Sequence, residues 1–332
     1  MRRLEIGLGL FPIEPPRRIV EIVKSAEELG YSHIWMGDSQ VIWREAYVNL
    51  GAAAQATHRI ILAGGVTNPL TRHITVTASA LAALSELTDG RVALGIGAGD
   101  SSVETLGHQP ATLHQLENSI QQIRGLLAGE QVAMERGNVR MEWVNIPPIP
   151  VFIGASGPRI LRLAGKIADG AIILVGTDPT YLKQAMECIR QGAESVGRDL
   201  EATGFKYICW APCAISTNGS DARNSVKAHV ARVLNRPLPY TLSPKDQASV
   251  SDIARDYDYS KHMVVGTKHG TPVPDHLVTK FALAGTVEEC RDQVRRIADI
   301  GLHQIAIIPH TTNPFDRLHL VQTFADEVIG HL

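Results

Sequence analysis

Cysteine is scarce in this 332-residue chain: only Cys188, Cys209, Cys213 and Cys290 occur, and they are scattered. Cys209 and Cys213 share one face of a strand-like run, roughly 13 Å apart at about 3.3 Å per residue, beyond disulfide reach. No Cys/His cluster has zinc spacing, and no HxH or HxxxH pair sits at a strand end, so no metal site is expected. The thiols read as reduced, buried groups of a cytoplasmic protein. Charge of one sign is also lacking. With Lys+Arg 32 against Asp+Glu 34, the net charge of −2 leaves no basic footprint for nucleic acid or an anionic membrane. No apolar run approaches membrane-spanning length. The opening MRRLEIGLGLFPIEPP is broken by Glu5, Gly7, Gly9 and Pro12, and reads as a first strand rather than a signal peptide.

What the chain does have is a 44% hydrophobic content, ample for a continuous core, and a regular alternation of short apolar runs with helical patterns. The strand-like runs are Leu4–Leu10, His33–Met36, Ile60–Val66, Val92–Ile96, Val151–Ala155, Ala171–Val175, Phe205–Ile215 and Gln304–Pro309. Helical patterns lie between them, and a last one over Pro314–Ile329 would close the ring. Eight such units predict an α/β fold of the (β/α)8 TIM-barrel type, a single domain over 1–332. Two stretches break the rhythm. Residues 130–150 suggest a small strand or hairpin insertion. Residues 236–280, with five prolines and three tyrosines, read as a long irregular insertion of the kind that forms lids, binding loops or oligomer contacts.

The segment Gly64 to Asp100, GGVTNPLTRHITVTASALAALSELTDGRVALGIGAGD, is a β-α-β unit whose strand ends carry little side chain. Ligands of parallel α/β proteins sit at the carboxyl ends of strands, and bare backbone there admits a flat or charged ligand. The run LGIGAGD does not match a dinucleotide-binding fingerprint, because the third glycine and the helix are misplaced. Asp100 is a candidate acid or hydrogen-bond acceptor, or a helix cap. Asp38, ending the second strand in WMGDS, is a second candidate, with a turn aspartate as the competing reading. At Gly154–Pro158 a strand passes directly into a helix, with Ser156 suited to cap it and Pro158 to start it. Such a turn is either a phosphate cradle or an ordinary βα connection. Among the histidines, His310, just past the last strand, is the best placed.

Together FPIEP, GVTNPLTRH, LSELTDGRVALGIGAGD, LGHQP, IPVFIGASGP and FALAGTVEECRDQVRRIADIGLHQI resemble the luciferase-like superfamily of flavin- and deazaflavin-dependent oxidoreductases across essentially the whole chain. Within it the similarity is greatest to the methylenetetrahydromethanopterin reductases. The resemblance implies a barrel holding coenzyme F420, or alternatively FMN, at the carboxyl face. It implies a bulge with a non-prolyl cis peptide at Gly65–Val66 beneath the ring, Asn68 beside it, Gly99 and Asp100 near its pyrimidine edge, and the phosphate at Gly154, Ala155, Ser156 and Gly157. It also implies a homodimer and a small organic substrate. Two positions depart from the pattern: Ser39 stands where many deazaflavin enzymes carry histidine, and Gly9 stands where the reductases carry a glutamate near their pterin. The expected function is hydride transfer between F420 and an organic substrate, with Asp38, Asp100 and His310 as catalytic candidates. The alternatives are an FMN-dependent monooxygenase using reduced FMN and O2, and a flavin-binding barrel without catalysis.

Overall fold

The first βα unit joins strand β1 (Glu5–Leu10) to helix α1 (Pro16–Glu28). Pro16 occupies the first turn of α1, where a missing N–H costs nothing. The computed structural model describes residues 4–255, 264–267, 273–313 and 316–331. Along the chain follow β2 (His33–Met36), α2 (Ala46–Ala54), β3 (Ile61–Thr67), α3 (Ile74–Leu87), β4 (Val92–Ile96), the one-turn α4 (Ser101–Glu104) and α5 (Leu113–Leu127). A short antiparallel hairpin, β5 (Val132–Ala133) with β6 (Asn138–Val139), occupies the first insertion. Then come β7 (Val151–Ala155), α6 (Pro158–Ile167), β8 (Gly170–Ile173), α7 (Pro179–Glu194), β9 (Lys206–Ile215) and α8 (Gly219–Leu234). The remainder is α9 (Pro244–Arg255), α10 (Asp275–Phe281), β10 (Leu283–Gly285), α11 (Val287–Ala298), β11 (Gln304–Pro309) and α12 (Arg317–Thr323), which runs on into a wider π-type turn over Phe324–Val328.

The main sheet is parallel and closes on itself in the order β1-β2-β3-β4-β7-β8-β9-β11, with β11 paired back to β1 and β8 to β9. This is the expected (β/α)8 barrel. Alternation along each strand divides the core in two. Trp35, Ala63, Ala93, Phe152, Ile208, Trp210 and Ile308 fill the barrel interior, while their neighbours, such as Ile34, Leu62, Val151 and Cys209, pack outward beneath the helices. Helix ends are fixed by local chemistry. Thr112 with Gln115, and Thr286 with Glu289, form reciprocal capping boxes at α5 and α11, and Asp178 caps α7 through Thr180 N.

The second insertion differs from expectation. Residues 236–280 are not wholly irregular: they contain α9 and α10, and 256–263 and 268–272 lie outside the described residues. Pro244 starts α9 and Pro274 is the N-cap of α10, so these prolines begin helices rather than break them. The short β10 was not foreseen either. Its Leu283–Gly285 pairs with Cys213–Ile215 at the carboxyl end of β9, above the stretch where β9 pairs with β8. The closing helix expected over Pro314–Ile329 is observed from Arg317, with residues 314 and 315 outside the described set.

Candidate functional site

A cavity of about 730 Å³ opens at the carboxyl ends of the strands. Its floor is the bulge in β3. The register of β3 against β4 slips between Gly64 and Thr67, and the Gly65–Val66 peptide bond is cis. Val66 projects into space left by two glycines on neighbouring strands. A Cβ on Gly97 would come within 3.1 Å of Val66 Cγ2, and one on Gly154 within 3.0 Å of Val66 Cγ1. The strand-end glycines therefore seat one side chain, and Gly65, Val66, Gly97, Gly99 and Gly154 together line a flat floor.

Opposite β1 in the eight-strand ring, β7 delivers the turn Gly154–Gly157 to α6. Gly154, Ser156, Gly157, Pro158 and Arg159 line the cavity, whereas Ala155 is packed behind, 2% exposed. The cap differs from expectation: the N-cap of α6 is Gly157, and no side chain caps the helix. The first-turn N–H groups thus have no side-chain acceptor and face the cavity with the positive end of the helix dipole, a geometry suited to an anion.

Asp38 also lines the cavity, although only 6% exposed. Thr67 Oγ1 donates to its Oδ2 across 2.7 Å, and Arg72 Nη2 lies 3.8 Å from its Oδ1. Burial pushes the Asp38 carboxyl above its ordinary pKa, opposed by the Thr67 hydroxyl and Arg72. Arg72 is itself held by Glu45 and stacks over the Tyr47 ring. Ser39 is not among the lining residues, and its hydroxyl meets that of Ser101 at 3.2 Å.

Three other expected site residues are each held by partners within the protein. Asp100 borders the cavity, but its carboxylate receives the guanidinium groups of Arg232 and Arg236, including Arg232 Nε at 2.9 Å. It is the N-cap residue of α4 but makes no side-chain capping bond, and it is not an uncommitted acid. Asn68 lines the cavity while its amide is spent within the protein. Its Oδ1 accepts from the backbone of Leu70 and Thr71, and its Nδ2 donates to Thr71 Oγ1 and Ser102 Oγ. His310 is not among the lining residues; its ring is buried against His229, with Nε2 and Nδ1 2.8 Å apart. Burial holds the His310 imidazole down to about 4.

Residues that sequence reasoning passed over complete the walls. Phe11 and Trp43 stack with ring centroids 4.3 Å apart. Trp210 and Leu174 join them, and Arg232, Asn235, Arg236 and Pro237 lean in from the end of α8. The carbonyl of Phe11 is fixed by Arg317, which also forms a buried pair with Glu14 at 2.7 Å. Trp210 carried a signal: it has the same parity as Ile208 on β9, the inward face opposite Cys209 and Cys213.

The sequence matches the family model described as luciferase-like monooxygenase over residues 4–304. The chain belongs to this family. It is 30% identical over 319 residues to the 5,10-methylenetetrahydromethanopterin reductase of Methanolobus tindarius, a match covering 91% of this chain and 93% of the relative. A shorter match, 35% over 205 residues, covers 56% of this chain and 60% of an F420-dependent glucose-6-phosphate dehydrogenase from Nakamurella multipartita. Among solved structures, the coenzyme F420-dependent tetrahydromethanopterin reductase of Methanopyrus kandleri superposes with a TM-score of 0.78 at 24% identity, over 99% of both chains. That likeness establishes the shared barrel. Among the described residues no helix is long and apolar enough to cross a membrane.

Proposed function

We propose that this chain is an oxidoreductase that moves a hydride between coenzyme F420 and a small organic substrate. The observation that carries the reading is the pairing, within one cavity, of the Gly65–Val66 floor with the uncapped first turn of α6 beside it. A planar ring with a phosphate-bearing tail fits both at once. The names of the relatives support F420 over FMN as that ring.

Bound there, the deazaflavin would supply a hydride-carrying carbon in place of the oxygen-reactive nitrogen of a flavin. Gly65, Val66 and Gly99 give its ring an even surface. Gly154, Ser156 and Gly157, with the backbone of Ala155 behind them, present N–H groups to the phosphate. Asn68 fixes the loop after the bulge by its four internal bonds. Asp38 is a cavity-lining carboxyl near the floor, hydrogen-bonded by Thr67 and 3.8 Å from Arg72. Its buried carboxyl, raised above its ordinary pKa, donates a proton to, or accepts one from, the reacting substrate. Asp100 positions Arg232 and Arg236 near the tail, and His310 takes no direct part.

Titration with F420 and FMN, followed by oxygen uptake with reduced FMN, tests this reading. F420 binding at least tenfold tighter than FMN is expected. Tight FMN binding with substrate-dependent oxygen consumption would instead establish a monooxygenase.

The reading includes a homodimer, supported by Val48 on α2 and Val76 on α3, which are 64% and 49% exposed. Light scattering at micromolar concentration reads the mass. Four free buried thiols support a reducing, cytoplasmic setting.

A further inference from the structure

We propose that the reacting end of the cavity takes a neutral, planar conjugated carbonyl compound and rejects phosphorylated sugars. The inference rests on the hydride chemistry proposed above and names its substrate class.

The cavity is divided by the ring order of the barrel. Its cationic lining residues are Arg159 in the first turn of α6, and Arg232 and Arg236 gathered on Asp100 after β4. Arg159 follows β7, and Arg232 and Arg236, though carried at the end of α8 after β9, turn their guanidinium groups to Asp100 after β4, where Pro237 also closes against Gly157. The arc from β9 through β1 to β2 carries Trp210, Phe11 and Trp43, and the lining arginines that follow β9 are drawn away from these rings to Asp100. Three packing facts show that this arc is built for rings. The space a side chain on Gly9 would take is filled by Trp210 Cη2, 2.7 Å from an ideal Cβ, and by Ile308 Cγ1 at 2.8 Å. A Cβ on Gly37 would meet Phe11 Cδ1 at 2.6 Å and Trp43 Cζ3 at 2.9 Å, so Gly37 admits the stacked pair. The Phe11 and Trp43 planes are 7° apart, which presents a flat wall.

A phosphate in this arc would exchange water for aromatic surface and a carboxyl, where the nearby cation, Arg72, is already held by Glu45 and Asp38, at a severe desolvation cost. A flat uncharged molecule gains stacking and apolar burial there. Its carbonyl oxygen can accept from the Asp38 carboxyl at the edge of the wall. In the reducing direction the β carbon of the C=C bond takes a hydride and the α carbon takes a proton. Reduced F420 gives up that hydride and one proton and becomes oxidised F420, so two electrons and two hydrogens balance.

The test uses trans-cinnamaldehyde and glucose 6-phosphate as probes on the full chain. Without cofactor, cinnamaldehyde is expected to quench tryptophan fluorescence saturably, and glucose 6-phosphate to leave it unchanged. With reduced F420, cinnamaldehyde is expected to be reduced; with oxidised F420, glucose 6-phosphate is expected to be inert. Trp43→Ala, at a half-buried position, should raise KM for cinnamaldehyde at least tenfold while F420 affinity, read by its own fluorescence, stays within threefold. Trp43→Phe should restore most of the loss. Preference for the sugar phosphate in either arm, or a KM indifferent to Trp43→Ala, overturns the inference. Failure of F420 to bind overturns the cofactor assignment instead, and the cofactor-free quenching still reads the aromatic wall.

Discussion

Gly154 and Val66 are packed so closely that an added methyl group on Gly154 would stand 3.0 Å from Val66 Cγ1. Val66 would have to give way, and it forms the cavity floor. Overpacking of this kind costs about 1–3 kcal/mol. Gly154→Ala is therefore expected to weaken F420 binding about tenfold, equivalent to about 1.4 kcal/mol, as measured by fluorescence titration. Binding unchanged within twofold would separate the floor from the cofactor.

The Thr67 hydroxyl stabilises ionised Asp38. Thr67→Val removes that bond, so the carboxyl retains its proton to higher pH. A net hydrogen-bond contribution of about 0.5–1.5 kcal/mol corresponds to a shift of about half to one pH unit. Where Asp38 acts as the acid, the alkaline limb of kcat should move upward by that amount. A limb that stays in place would remove Asp38 from the proton transfer.

Asp100 neutralises two guanidinium groups, one of them on a side chain only 8% exposed. Asp100→Ala leaves both without this partner and should lower stability by about 2 kcal/mol, less than for a fully buried pair because Arg236 is partly solvated. Urea unfolding measures it. The companion change Glu14→Gln strands Arg317 in a more deeply buried pair and should cost about 3–5 kcal/mol.

His310 is buried in its neutral form, with its pKa held down to about 4 from the ordinary 6.5. Between those values the unfolded chain binds a proton that the folded chain refuses. Stability is therefore fully present above about pH 6.5 and falls as pH drops toward 4, by at most about 3 kcal/mol. His33 acts in the same direction, and the raised Asp38 opposes both. Comparing urea midpoints at pH 7 and pH 5 should show a smaller drop for His310→Gln than for the parent.

The barrel and its bare strand ends were legible because both are written in local pattern, whereas the bulge at Gly65–Val66 was implied by the family resemblance. Strand periodicity marked all eight barrel members, and GGVT with GIGAG marked the backbone that lets Val66 settle. The guanidinium cluster was not legible: Arg232 meets Asp100 across 132 residues, and no local spacing encodes that meeting. His310 misled for a related reason. Strand parity with Ile308 directs it inward, but His229 arrives from α8 and covers it. The proline-rich 236–280 stretch was read as irregular, although two of its prolines start or precede helices.

One consequence follows from the divided loyalties of β9. Its lower half is hydrogen-bonded to β8 and its upper half to β10, and Trp210 falls in the interval between those partners. The staves of the cylinder are therefore parted at that side of the rim by a wedge, and the wedge belongs to the excursion between α8 and α11. Lengthening or shortening that excursion can resize the vestibule while the bulge and the α6 turn stay fixed, a natural route to new specificities on an unchanged redox platform.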